Sequence, residues 1–178
     1  MLFYASLLAF LVYTWVGWYR PGAVRRILSG TLQRVLSSSV SILSMLTMAV
    51  IMEHAGMTDA LARGLAENVG VVFPFFSPWI GAIGAFMTGS NTNSNVVFAG
   101  LQLRTAELLG FSAAIILAAQ TAGAGIASLI APSKVVVGTS TAGMAGREGE
   151  VMRRLIVYAG VLVLLISLLA ILTIRIVA

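Results

Sequence analysis

Thr88-Gly89-Ser90-Asn91-Thr92-Asn93-Ser94-Asn95 lies inside an uncharged 36-residue run, Asn68 to Leu103, that is otherwise mostly apolar. Six consecutive side chains from Ser90 to Asn95 seek hydrogen bonds in the middle of it. As one straight helix the run would measure about 54 Å at ~1.5 Å per residue, against a hydrocarbon core of about 30 Å. Pro74 and Pro78 interrupt it, and the polar octet interrupts it again. Two arrangements remain: one kinked span with an embedded loop, or two helical arms of a hairpin that meet at the octet.

The surroundings of the octet are those of a membrane protein. The chain has 178 residues, of which 59% are hydrophobic and 10% charged, with a mean hydropathy of +1.00. A soluble domain carries about 25% charged residues, so the missing polar surface is best supplied by lipid. Uncharged runs Met1–Tyr19, Val35–Met52, Leu108–Ser133 and Leu155–Ile174 accompany the central one. Each reaches the roughly 18 to 20 residues that a crossing needs. None alternates polar and apolar residues as a barrel strand would, so the spans are helices. The absence of Cys excludes disulfides and thiolate metal sites. The net charge of +5 falls in the loops and reads as topology rather than nucleic-acid binding. Met1–Tyr19 lacks a basic segment before its apolar stretch, and that stretch is longer than the ~7 to 15 residues of a signal peptide. It reads as a span.

The expected organisation follows from these breaks. The first span ends in Trp15, Trp18 and Tyr19, residues suited to a membrane interface. A basic loop with Arg20, Arg25 and Arg26 follows, with Arg34 beyond it, and a second helix runs from about Thr31 to Met52. Ser37, Ser41 and Ser44 share one face of that helix, a pattern that small-residue packing explains better than a polar path. Glu53 to Glu67 is the most charged segment and holds the single histidine, His54. A second polar break, Gln120-Thr121-Ala122-Gly123-Ala124-Gly125 and then Ala131-Pro132-Ser133-Lys134, predicts a discontinuous helix, because Pro132 cannot continue a hydrogen-bonded one. Both basic loops, 20–34 and 143–154, should face the cytoplasm. That parity holds only if the central run begins and ends on the outside, which selects the re-entrant hairpin and puts both termini outside. The expected fold is an all-α polytopic membrane protein with about four spans, one re-entrant hairpin and a discontinuous helix. Residues 1–66 would hold two spans and an outer loop, and residues 67–178 the transport site.

Irregular backbone at membrane depth persists only where protein buries it or where it lines a wet cavity. Unpartnered polar groups there cost several kcal/mol each on the order-of-magnitude scale of apolar transfer. A bound solute or ion would supply the partners. The arm after the tip, beginning near Asn93–Val96, offers free N–H groups and partial positive charge to a carboxylate. The C-terminal carbonyls of the preceding arm, with Ser, Asn and Thr oxygens, suit sodium. A helix cap would explain one or two of these residues, not the whole octet together with a second break 40 residues later. An intramembrane hydrolase, with Ser90 or Ser94 as nucleophile and His54 as base, is disfavoured by the repeated amides around Ser90 and by the sequence distance to His54.

Ser77-Pro78-Trp79-Ile80-Gly81-Ala82-Ile83-Gly84-Ala85-Phe86-Met87 leads into the octet, and Phe98 and Leu101-Gln102 follow it. This segment closely resembles the L-lactate permease family. So does the later order of Ala131-Pro132, Ala142-Gly143 and Gly146-Arg147-Glu148 ahead of the last span. The resemblance runs from about Glu67 to the C-terminus. It places the chain in a wider group of ion-coupled carboxylate transporters whose inverted repeats carry Ser-Asn-Thr-type hairpin tips, each followed by a broken helix. It implies proton-coupled uptake of L-lactate, and of glycolate or related short hydroxycarboxylates, across the plasma membrane, with no cofactor, no metal and no enzymatic step. Sodium at Ser90, Asn91 and Thr92 is the alternative coupling. Permeases of this type are far longer, so the chain looks like a C-terminal half. Its expected partners are then a missing N-terminal half, the carboxylate substrate and the bilayer; an inactive fragment or non-transporting subunit is the alternative. The family pattern also has a Lys at the position of Ser128, whereas the segment's only Lys here is Lys134. Candidate substrate- or ion-binding residues are the octet together with Thr121, Ser133, Lys134, Thr139, Ser140 and Thr141. The proton carriers available are Glu53, Asp59, Glu67 and Glu107.

Overall fold

The computed structural model describes residues 2–18 and 22–177. Tyr19 and Arg20, expected at the interface and in the first basic loop, lie outside them. Among the described residues every regular element is a helix: α1 (Leu2–Trp15), α2 (Ala23–His54), α3 (Met57–Val69), α4 (Phe73–Thr88), α5 (Asn91–Leu109), α6 (Ala113–Leu129), α7 (Pro132–Thr141) and α8 (Glu148–Val177). Three stretches are long and apolar enough to cross a membrane: Ala23–His54, Met57–Thr88 and Glu148–Ile176. The bent pair α6–α7 makes a fourth if it is one span. The chain is an all-α polytopic membrane protein.

Two boundaries differ from expectation. α1 stops after 14 residues, because Gly17 donates to the Thr14 carbonyl and Trp18 to the Tyr13 carbonyl, closing the helix end with reverse bonds. α2 starts at Ala23 rather than near Thr31. Val24 to Arg34 contains no proline, and its Arg and Leu residues are good helix formers, so Arg25, Arg26 and Arg34 sit on a helix instead of a loop. None of α2's residues is buried, and Ser37, Ser41 and Ser44 are exposed.

The chain divides into two compact units, residues 1–43 and 44–178. The second holds the octet, and α4, α5 and α6 form its centre. α4 and α5 run antiparallel: Ser94 Oγ near the tip donates to the Gly81 carbonyl, and Gln102 Nε2 further down donates to the Ser77 carbonyl. α6 lies parallel to α4, with Ser77 Oγ donating to the Ile116 carbonyl at one end and Gly81 facing Gln120 further along. Ser77, Ser94, Gln102 and Gln120 are all buried. Their bonds join α4 to α5 and α6, and α6 to α5 through Gln120 and Asn95, where no water would otherwise satisfy them. Pro78, inside α4, lacks an N–H and so gives up one helix bond.

Small residues permit this spacing. A Cβ at Gly81 would collide with the Gln120 carbonyl, and one at Gly123 with the Pro78 carbonyl. At the tip end Ala82, Ala85, Ala124, Ala127 and Val163 form one apolar cluster, with Trp79 and Phe86 against it. At the other end Phe73, Ala106, Ile116 and Ile174 form a second. α8 therefore closes both. α6 and α7 meet at 41° across Ile130 and Ala131, with Pro132 opening α7. The expected discontinuous helix is present where Pro132 put it.

Replacing Gly123 with Leu should cost more than the ~1 to 3 kcal/mol typical of core overpacking, since backbone stands in the way. The thermal midpoint of the purified chain in detergent should drop by several degrees or the folded fraction vanish. Gly100→Leu, where nothing lies within 4 Å, should leave the midpoint nearly unchanged.

Candidate functional site

The octet forms the tip of the α4–α5 hairpin. α4 ends at Thr88, and Gly89 takes the left-handed conformation (φ 71°) while its N–H donates to the Ala85 carbonyl. This is the turn that a glycine allows without strain. Ser90 is extended and caps α5, its Oγ accepting from the Asn93 N–H at 3.2 Å. Thr88 Oγ1 lies 2.8 Å from the Gly84 carbonyl and accepts from the Ser90 N–H at 3.3 Å. α5 thus begins at Asn91, two residues before the expected Asn93, because the Ser90 cap nucleates the first turn there. The N–H groups of Asn91 and Thr92 precede the first intrahelical bond and point out of the helix end. The last carbonyls of α4 end on the other side of the turn.

From this tip one face of α5 looks at α6. Asn91 Nδ2 lies 3.8 Å from the Cβ position of Gly125. One turn on, Asn95 Oδ1 accepts from Gln120 Nε2 at 3.0 Å and stands 3.4 Å from Thr121 Oγ1. Asn91 and Asn95 are i and i+4, so they share a face. Thr121, Gly125 and Ser128 are i, i+4 and i+7 on α6 and answer them. α7 then folds back on the same corner. Lys134 Nζ donates to Ser128 Oγ at 3.3 Å, and Ser133 Oγ stands 2.9 Å from the Cβ position of Gly89. The break of the discontinuous helix and the hairpin tip therefore adjoin, although more than 40 residues separate them in sequence. Lys134 thus returns its ammonium to Ser128.

Some candidates do other work. Ser94 is fully buried and braces the hairpin through Gly81. Thr139 is buried and approaches Glu148 Oε1 at 3.3 Å. Ser140 and Thr141 donate back to the Val136 and Val137 carbonyls of their own helix. Thr92 and Asn93 belong to the tip, with Thr92 exposed. His54 Nδ1 is engaged with the Val50 carbonyl on the last turn of α2, whereas Ser90 and Ser94 bond to Asn93 and Gly81. The chain's acids stand apart from the tip. Asp59 bonds Arg63 and Arg104, Glu107 bonds Arg104, and Glu150 bonds Arg147 and Arg154. Among the described residues no group of three or more His, Asp or Glu could hold a metal ion.

Sequence reasoning left Gln120 off the candidate residues, although the structure sets it against Asn95. Gln102 and Gln120 are buried amides, and an amide within a long uncharged run was the available signal. Asn91 Oδ1, Gln102 Oε1 and Gln120 Oε1 are buried acceptors without a hydrogen-bond partner. Such groups are rare in folded proteins, and two of the three lie at or just below the tip.

A helical hairpin with a polar, capped tip set against the break of a second helix is thus the arrangement at the centre of this polytopic α-helical membrane protein. The chain belongs to the L-lactate permease family, whose profile matches residues 2–177. The glycolate permease of Escherichia coli strain K12 is 41% identical over 114 residues, covering 64% of this chain and 20% of that relative. The L-lactate permeases of Salmonella typhi and Bacillus subtilis strain 168 are 34% and 33% identical, over 75% and 78% of this chain and 24% of each relative. The chain spans about a quarter or less of the length of these curated relatives. No solved structure matches it.

The cap makes a local prediction. Ser90→Ala removes an N-cap worth about 1 kcal/mol, so amide exchange at Asn93 in the first turn of α5 should quicken roughly fivefold. Ser90→Asp, which keeps an acceptor, should not change it.

Proposed function

We propose that this chain forms the substrate-binding part of a secondary transporter that moves L-lactate, and related short hydroxycarboxylates such as glycolate, across the plasma membrane. Family membership and the names of its relatives support the substrate class. The observation that carries the reading is Asn91 at the hairpin tip: its Oδ1 is buried and unpartnered, beside exposed N–H groups at the start of α5. A carboxylate suits those N–H groups and the partial charge of the helix end, with the Lys134 ammonium at the adjoining break. The Asn91 oxygen is an acceptor, and a 2-hydroxyl is a donor. The site is a binding site rather than a catalytic one, and the chain is read as a carrier, not an enzyme.

In the same reading the hairpin is re-entrant. α4 alone has 16 residues, about 24 Å at ~1.5 Å per residue, although with α3 it makes the 32-residue stretch Met57–Thr88 that is long enough to cross. α5 begins with five polar residues and carries Arg104 and Glu107 at its other end, leaving a short apolar middle. Both basic segments, around Arg25, Arg26 and Arg34 and around Arg147, Arg153 and Arg154, then face the cytoplasm, with both termini outside. Coupling is to protons. The acids that could carry one within this chain are Glu53, Asp59, Glu67 and Glu107, none of them at the tip. Sodium at Ser90, Asn91 and Thr92 is the competing assignment, and uptake driven by a sodium gradient but not by a pH gradient would select it.

Two measurements test the reading. Each hydrogen bond to a charged group contributes about 1.5 to 3 kcal/mol, so Asn91→Ala should raise the apparent KM for L-lactate uptake about 10-fold or more. The assay uses membranes where the unsubstituted chain, alone or together with the remaining segments of a family permease, supports uptake. Ser37→Ala and Ser44→Ala should leave KM as it was, and unchanged uptake by Asn91→Ala would reduce the tip to a helix cap. Topology is read by cysteine labelling in the Cys-free background. Cys at Ala55 or Ser112 should react with an impermeant thiol reagent added outside, and Cys at Ser29 or Gly149 should not. Labelling of Ser29 and Gly149 from opposite sides would exclude the re-entrant arrangement.

A further inference from the structure

Gln120 is 1% exposed and sits in the groove that Gly81 leaves on α4, where a Cβ would approach its Cγ to 2.8 Å. From there its amide reaches across to α5 and donates to Asn95 Oδ1 at 3.0 Å. Thr121 Oγ1 stands at 3.4 Å from the same oxygen. Its own Oε1 is buried with no partner. A buried side chain that bonds one neighbour while its other polar atom goes unsatisfied calls for an explanation beyond packing, since leucine would fill the space without that cost.

An asparagine amide is ambivalent: its oxygen accepts, and its NH₂ donates. With Oδ1 occupied from α6, Asn95 has only its NH₂ left to offer elsewhere. It stands one turn below Asn91 on the same face. We infer that Gln120 is a positioning residue that holds Asn95 as a donor-only group, so that the site selects the acceptor-only carboxylate over neutral analogues of the same shape. The inference rests on the reading of the octet as the substrate site. It adds to that reading how the polarity of one binding group is set from the neighbouring helix α6. Gly81 belongs to the same device, because any side chain there would occupy the path of Gln120.

The experiment compares Gln120→Leu, Asn95→Ala and the double variant in uptake assays, with Asn91→Ala and Gln102→Leu alongside. KM for L-lactate is read separately from the maximal rate normalised to folded protein, together with competition by lactamide, the neutral amide analogue. Gln120→Leu should raise KM about 10-fold with the normalised rate largely kept. Asn95→Ala should do the same, and the double variant should be no worse than either, because both remove one coupled interaction. In Gln120→Leu the preference for lactate over lactamide should fall about 10-fold, since Asn95 is then free to turn its oxygen outward. Gln102→Leu, which braces α5 to Ser77 away from the tip, should lower only the amount of folded protein. If Asn95→Ala raises KM and Gln120→Leu acts only on folded amount, the inference falls and the site reading stands. If Asn91→Ala alone raises KM, the inference again falls while the tip remains the site. If none of the three tip variants changes KM, both fail together.

Discussion

The contact on which the second unit depends is the approach of α4 to α6 at Gly81 and Gly123. Each glycine faces a carbonyl of the other helix, Gln120 for Gly81 and Pro78 for Gly123. Helices in lipid gain nothing from hiding apolar surface from one another, so close backbone packing and interhelical hydrogen bonds must hold them. Two glycines where backbones touch provide the first. The buried hydroxyls and amides of Ser77, Ser94, Gln102 and Gln120 provide the second. Were the helices wider apart, Gln120 could not reach Asn95, and the tip would lose its contact with α6.

That spacing fixes where the polar tip sits. The hairpin alone would hold the octet as an isolated turn. Packed on α6, the same turn has Gly125 opposite Asn91, Thr121 and Gln120 opposite Asn95, and Ser133 opposite Gly89. The break after Leu129 lets α7 bend by 41°, which returns Lys134 to Ser128 instead of carrying it a further turn away. The proline that ends one helix and the glycine that turns the other thus stand at one corner of the unit. By contrast, the ion pairs of Arg104 with Asp59 and Glu107 are roughly half exposed. Pairs of that kind contribute only about 0 to 1 kcal/mol, so the one with Asp59 orients α3 on α5 more than it holds the fold, and the one with Glu107 stays within α5.

Much of this was legible in the chain itself. Low charge and long uncharged runs fixed the class, because a surface with so few charges belongs in lipid. Pro74, Pro132 and the octet marked the breaks, because their effects on the backbone are local, whereas Pro78, expected to interrupt, lies inside α4. A helix cap was only the lesser reading of the octet, and the structure places one at Ser90. Where the sequence reading misplaced a boundary, at the start of α2 and of α5, the competing local rule was helix propensity in one case and a single capping hydroxyl in the other. What the sequence could not show is which polar residues turn inward to brace helices and which remain at the tip. Ser94 sits inside the octet yet belongs to the hairpin's interior, and Gln120 sits outside it yet holds Asn95. Thr139, Ser140 and Thr141 have the composition of a site but bond along α7 and to Glu148. Ser94 and Gln120 depend on partners 13 and 25 residues away, and a hydrogen bond between helices is decided by their register and separation. Only the packed structure sets these.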